Sequence, residues 1–197
     1  MLFRSQHHNK SLYVGEGRGG FVHFDAQVPK KEMFVCTKRG KDRALPDVDV
    51  LKGHASSKIY LFDVEGTDND FSDPRVMAQL QEYGPYDIIY SDMGETKYDC
   101  AEESKWHNQF IDAFERLPEM VNIGGSLVVK LYLPLENKQL IQRLGGWFSK
   151  LTAWRSPSSG AMSTEWYLMC FRKMHHFRDV SPFTTSVQAA WCQAIKT

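Results

Sequence analysis

Tyr86-Asp87-Ile88-Ile89-Tyr90-Ser91-Asp92-Met93-Gly94-Glu95-Thr96 is an apolar run that ends at a polar edge closed by glycine. A stretch so short and so rich in Ile and Tyr reads as a buried strand whose last polar residue is Asp92. In open α/β sheets ligands sit in the crevice beyond the carboxyl ends of the strands, so an acid there is placed to meet a substrate. Two apolar runs downstream carry one ionisable residue each. These are Lys130 in Gly125-Ser126-Leu127-Val128-Val129-Lys130-Leu131-Tyr132 and Glu165 in Ser163-Thr164-Glu165-Trp166-Tyr167-Leu168-Met169-Cys170. Charges are expensive to bury singly and cheaper as a paired set, so the three point to one site.

Upstream, Ser11-Leu12-Tyr13-Val14 reads as a strand that runs at once into Gly15-Glu16-Gly17-Arg18-Gly19-Gly20-Phe21. Strand, glycine loop and helix form the first unit of a nucleotide-binding α/β fold, because glycines let backbone N–H groups approach a ligand. The helix is expected over 19–28, closed near Pro29. Strands are expected over 32–37 and 58–64. An acidic loop follows, in which Asp73 is an N-cap with Pro74 at the first helical position, leading into a helix over 75–82. Beyond Asp92, Trp106, Phe110, Ala113, Phe114, Leu117 and Met120 recur at three and four, which predicts a helix over 102–121, kinked or stopped early at Pro118. Gly124-Gly125 closes it and opens the strand of Lys130. A helix over 135–148, strands over 150–154 and 164–172, and a short tail helix around 187–194 complete the pattern. The last two strands should pair antiparallel, giving a mostly parallel sheet with a reversed edge.

With 197 residues, 42% of them hydrophobic and 24% charged, the chain suits one domain with a real core. The formal net charge is zero, so nothing in the total advertises nucleic acid. Lys30, Lys31, Lys38, Arg39, Lys41 and Arg43 crowd one segment, and Arg172, Lys173 and Arg178 another, as local basic patches or solvated faces. The cysteines at 36, 100, 170 and 192 show no C-x-x-C spacing and suit reduced thiols in an intracellular compartment. No stretch reaches the roughly 18 apolar residues of a membrane span, and no signal-peptide core opens the chain, so a soluble protein without membrane insertion is expected. The His7-His8 and His175-His176 pairs are too isolated to make a metal site, and none is expected.

An amine between two carboxylates, beside a glycine loop, suits proton abstraction from a hydroxyl. The motifs together resemble the FtsJ-type RNA 2'-O-methyltransferases, closest to viral cap methyltransferases such as the flavivirus kind. The glycine loop from Gly15 to Phe21 resembles their S-adenosylmethionine loop, Ser91 to Thr96 their acidic motif, and Leu127-Val128-Val129-Lys130 their lysine motif. Arg155-Ser156-Pro157 through Ser163-Thr164-Glu165-Trp166-Tyr167 resembles their final glutamate motif. The gaps of 38 residues from Asp92 to Lys130 and 35 from Lys130 to Glu165 fit the family layout.

The resemblance implies a single Rossmann-like α/β methyltransferase domain over 1–197, with a mostly parallel seven-stranded sheet, an antiparallel edge strand and helices on both faces. It implies S-adenosylmethionine as cofactor and capped RNA as substrate, in the host-cell cytoplasm beside other domains of a viral replication polyprotein. Lys130 would deprotonate or orient a ribose 2'-hydroxyl, with Asp92 and Glu165 setting its charge and position. Gly15, Glu16, Gly17, Gly20, Phe21 and Asp92 would line the donor, Asp70 and Phe71 would hold its adenine, and Arg155 and Ser163 would touch the RNA. The family's first tetrad lysine lies on a helix before the first strand. Here either Lys10 stands in for it, or the domain is cut from a larger polyprotein without that helix, which is the favoured expectation. A competing reading comes from Gly15-x-Gly17-x-x-Gly20, which also satisfies a dinucleotide fingerprint, with Lys38-Arg39 suited to a 2'-phosphate. Such an NADP oxidoreductase leaves Asp92, Lys130 and Glu165 without a joint purpose. A non-catalytic RNA-binding relative of the fold is the third reading.

Overall fold

Successive side chains of a strand point to opposite faces of its sheet, and that alternation sets the layers here. Leu12, Val14, Phe34, Cys36, Ile89, Leu127 and Val129 join one apolar cluster, while Tyr13, Met33, Val35, Ile88, Tyr90 and Val128 join the other. The computed structural model describes residues 9–15, 20–26, 31–37, 58–93, 114–132, 138–156 and 165–179. Its elements are β1 (Lys10–Val14), α1 (Gly20–Ala26), β2 (Glu32–Cys36), β3 (Lys58–Leu61), α2 (Pro74–Tyr83), β4 (Tyr86–Ser91), a 3-10 turn (Leu117–Met120), β5 (Val121–Tyr132), α3 (Lys138–Trp147), β6 (Phe148–Trp154) and β7 (Glu165–Lys173). Val22 and Ala26 of α1 cover one face of the sheet. Val76, Met77 and Leu80 of α2 and Leu140, Ile141 and Leu144 of α3 cover the other. Among the described residues no helix is long and apolar enough to cross a membrane.

The sheet has seven strands in the order β3-β2-β1-β4-β5-β7-β6. Neighbours from β3 to β5 pair parallel, and β7 pairs antiparallel with both β5 and β6. The reversed pairing expected at this margin is present, and the strand that runs against the others is β7, one in from the margin. The α2 cap also forms as the sequence predicts: Asp73 accepts from the Arg75 backbone N–H at 2.8 Å, with Pro74 in the first turn.

Several boundaries differ from expectation. β3 stops at Leu61, because the chain from Phe62 bends into a turn that Asn69 staples down. The Asn69 amide donates to the Phe62 carbonyl at 2.8 Å and the Thr37 carbonyl at 3.3 Å, and its oxygen accepts from the Val64 N–H at 3.0 Å. β5 opens at Val121, and Gly124-Gly125 lies inside it, where the register with β4 shifts and Gly124 takes φ +79°. Residues 114–116 are helical, and Pro118 turns the chain into the 3-10 turn. The rest of the expected 102–121 helix, and the tail helix, lie outside the described residues. Lys31 belongs to no surface patch: it is 2% exposed and its Nζ lies 2.9 Å from Asp25 Oδ2, which also accepts from the Tyr13 hydroxyl at 2.6 Å.

Close packing gives the fold an alkaline limit. Burial, with the Asp70 carboxylate adding, pushes the Cys36 thiol up to about 12, and burial likewise raises Cys170, Tyr13, Tyr86 and Tyr167. The unfolded chain releases these protons from about pH 9 to 10 upward while the folded chain keeps them, so stability is complete below that window and falls above it. Urea unfolding at about pH 10.5 should show a lower midpoint than at about pH 8, with the unfolding free energy smaller by up to roughly 1.4 kcal/mol per pH unit for each retained proton. Equal midpoints would refute this.

Candidate active site

Parallel pairing from β3 to β5, with β6 running the same way, puts the carboxyl ends of six strands on one edge of the sheet. The amino end of β7 joins them there. Gly15, Asp92, Lys130, Arg155 and Glu165 all stand at or beside this edge. The strand order reverses between β1 and β4, which is where open α/β sheets bind ligands. Gly15 and Asp92 are the residues leaving those two strands. The Asp92 N–H donates to the Val14 carbonyl and the Gly15 N–H to the Cys36 carbonyl, both at 2.9 Å, so the ends of β1, β2 and β4 are laced together. Gly15 has φ +73°, and a Cβ there would lie 2.7 Å from the Met93 side chain and 2.9 Å from its backbone. Only glycine lets the loop leave β1 this close to Met93.

Alternation then gathers the ionisable groups. Asp92 continues the parity of Ile88 and Tyr90, Lys130 that of Val128, and Glu165 that of Tyr167, so all three fall on the face that α1 covers. Lys130 is 6% exposed, and its Nζ lies 3.1 Å from Asp92 Oδ1. The same carboxylate oxygen accepts from the Tyr167 hydroxyl at 2.9 Å. Lys130 and Tyr167 are register partners on β5 and β7, and Glu165 partners Tyr132 one step nearer the edge. Burial, then the charges of Asp92 and Glu165, hold the Tyr167 hydroxyl well above the usual tyrosine range. Asp92, Lys130 and Glu165 therefore meet around Tyr167, which the sequence reading passed over. Its signal is the spacing Glu165-x-Tyr167, since residues two apart on a strand share a face.

Tyr167 is held by rings. Phe21 of α1 stacks on Tyr90 at 5.1 Å and meets Tyr167 edge-on at 5.7 Å, and Tyr90 stacks on Tyr13 at 5.2 Å. Phe21, expected to line a donor, thus packs its ring behind Tyr167. Tyr167→Phe keeps this packing and removes one hydrogen bond to a charged group, a loss of about 1.5–3 kcal/mol. Stability should fall by roughly that amount, read by urea unfolding. No change would show that the hydroxyl does not pin Asp92.

The remaining expected residues are spread along the same edge. Asp70 lies in the loop that Asn69 fastens to the end of β2, and its Oδ1 accepts from the Ser72 N–H at 3.0 Å and hydroxyl at 2.7 Å. Phe71, expected beside the adenine, is 4% exposed and belongs to the core cluster with Val76 and Leu80. Gly20 opens α1. Glu16, Gly17 and Ser163 lie outside the described residues. Lys10 does not stand in for a further active-site lysine. It sits at the amino end of β1, with its Nζ 5.3 Å from the Phe34 ring centre and 5.5 Å from that of Tyr86, on the face that α2 covers. Four residues of strand, about 13 Å, and the whole thickness of the sheet separate it from Asp92.

The edge fits a nucleoside-sulfonium donor in its chemistry. Asp92 offers a carboxylate to a cation, Gly15 leaves β1 beside it with no side chain in the way, and the Asp70 loop stands two strand spacings, about 10 Å, from Asp92. Among the described residues no three His, Cys, Asp or Glu side chains converge as metal ligands would.

The family profile described as FtsJ-like methyltransferase matches residues 2–173. Ribosomal RNA large subunit methyltransferase E from Zymomonas mobilis is 25% identical over 139 residues, which make up 68% of this chain and 61% of that protein. The chain thus spans less than two thirds of that relative's length. Among solved structures, a crystal structure described as a ribosomal RNA methyltransferase from Plasmodium falciparum aligns with a TM-score of 0.55 at 18% identity, covering 86% of this chain and 88% of that one. At that identity the likeness speaks for the fold alone.

Proposed function

The chain belongs to the FtsJ-like methyltransferase family, and from that membership we propose that it methylates a ribose 2'-hydroxyl of RNA with S-adenosylmethionine as donor. The observation that carries the reading is the buried Lys130 ammonium, 3.1 Å from Asp92 at the sheet's carboxyl edge. S-adenosylmethionine supplies a methyl group on a cationic sulfur, an electrophile that is already activated. What the chain must add is position and a path for one proton. Gly15 and its loop, with Asp70, would hold the donor, and Asp92 would face its positive charge. Lys130 uses one N–H on Asp92 and keeps the others for the acceptor oxygen. That oxygen becomes acidic as the new C–O bond forms and the C–S bond breaks to leave a neutral thioether, so its proton leaves late, to water held by the Lys130 ammonium or to Lys130 in its neutral amine form. Glu165 and Tyr167 keep Lys130 and Asp92 from turning away. The competing oxidoreductase assigns these four residues no task.

The acceptor divides into two readings. The motifs of the sequence favour the first nucleotides of a capped viral mRNA, in the cytoplasm and beside other domains of a replication polyprotein. The names of the relatives favour ribosomal RNA. Incubation with methyl-labelled donor and either a short capped RNA or a ribosomal RNA fragment, followed by digestion to nucleosides and mass spectrometry, separates them. It also reads guanine-N7 transfer. Label in a 2'-O-methyl nucleoside from one substrate and not the other assigns the acceptor. No label from either, with NADPH binding in calorimetry, overturns the proposal.

A further inference from the structure

Single exposed aromatics are ordinary on protein surfaces, so Trp154 needs more than its 37% exposure to mean anything. Its placement supplies that. Trp154 closes β6 and is the register partner of Tyr167, which is in turn the partner of Lys130. Three strands abreast therefore carry Trp154, Tyr167 and Lys130 across one face, with about 10 Å between the outer two. The indole meets the Tyr167 ring at 5.8 Å and 44°, so the hydroxyl partner of Asp92 fixes the tryptophan's position. Arg155 follows at the same edge.

Resting on the reading of this edge as an RNA 2'-O-methyltransferase site, we propose that Trp154 is a stacking platform for the base next to the acceptor ribose. A base inside an A-form duplex offers no free face, so the acceptor is single-stranded at that position. Stacking on an aromatic side chain tolerates any base, so Trp154 contributes affinity and register with little sequence preference.

The test uses short single-stranded RNA with either a normal nucleotide or an abasic site beside the acceptor. On the normal RNA, Trp154→Ala should raise KM about tenfold with kcat within about twofold, and Trp154→Phe should recover most of the loss. On the abasic RNA, Trp154→Ala should change little, because no base remains to stack. An equal penalty on both RNAs overturns the proposal. Fluorescence anisotropy of labelled RNA repeats the comparison without turnover. A base-dependent Trp154 effect in binding, with no methyl transfer by the unaltered protein, would uphold the platform and reject the enzymatic reading. Transfer with no such effect would do the reverse.

Discussion

Lys130→Ala is expected to lower 2'-O transfer by about 10²- to 10⁴-fold, the range typical of a positioned proton-transfer group, while donor affinity stays within about twofold. Lys130 is on β5, and the donor's side of the edge is made by β1, β2 and β4, so the substitution removes nothing that would touch the donor. The protein should still fold. Asp92 keeps the Tyr167 hydroxyl as donor, and its side chain is 28% exposed, so water can solvate the carboxylate that loses its ammonium. Lys130→Arg should not restore the rate, because a planar guanidinium cannot present one compact charge at the Nζ position. Single-turnover transfer to RNA and calorimetric titration with S-adenosylmethionine give the two numbers. Retained transfer rejects Lys130 as the group at the acceptor. Transfer lost together with donor binding would place Lys130 on the donor side.

The strands and the three ionisable residues were legible in the sequence because both rest on period-two patterns bounded by glycine and polar residues. The strand of Lys130 carries an apolar run with one charge inside it, which is conspicuous, and Asp92 follows directly on the run Ile88-Ile89-Tyr90-Ser91. What stayed hidden depends on contacts that no local pattern reports. Tyr167 looks like an ordinary strand tyrosine until β7 is placed against β5, and Trp154 gains its meaning only from β6 lying against β7. Lys31 reads as one member of a basic run, yet tertiary packing turns it inward onto Asp25. Asn69 is one polar residue among several in an acidic loop. Its left-handed φ of 56° and its three bonds to the ends of β2 and β3 give it the role of a staple. Phe71 beside Asp70 reads as half of a binding pair, and its burial in the core with Val76 and Leu80 comes from the capped helix packed next to it. Lys10 was resolved by the strand's direction, since an amino-terminal residue of a parallel strand stands at the far end from the ligand crevice.

Asp92→Ala should abolish measurable transfer, weaken donor binding and lower stability by about 2–3 kcal/mol. A buried ion pair broken from one side costs about 3–5 kcal/mol, and partial hydration of the site places this case at or just below the low end. The cost comes from Lys130, left 6% exposed without its carboxylate, and from Tyr167, left with Glu165 as its nearest acid. If that account is right, Lys130→Met should cost little stability alone, since a linear apolar chain of similar length fills the space. Adding it to Asp92→Ala should then return the unfolding free energy, read by urea titration, to within about 1 kcal/mol of the unaltered protein. Transfer should stay lost in all three variants. Stability would thereby recover where activity does not, separating the structural cost of a buried charge from the chemical need for it. A double variant as unstable as Asp92→Ala would mean that position 92 acts through the junction where its N–H meets the Val14 carbonyl, and the ion pair would no longer be the centre of the site.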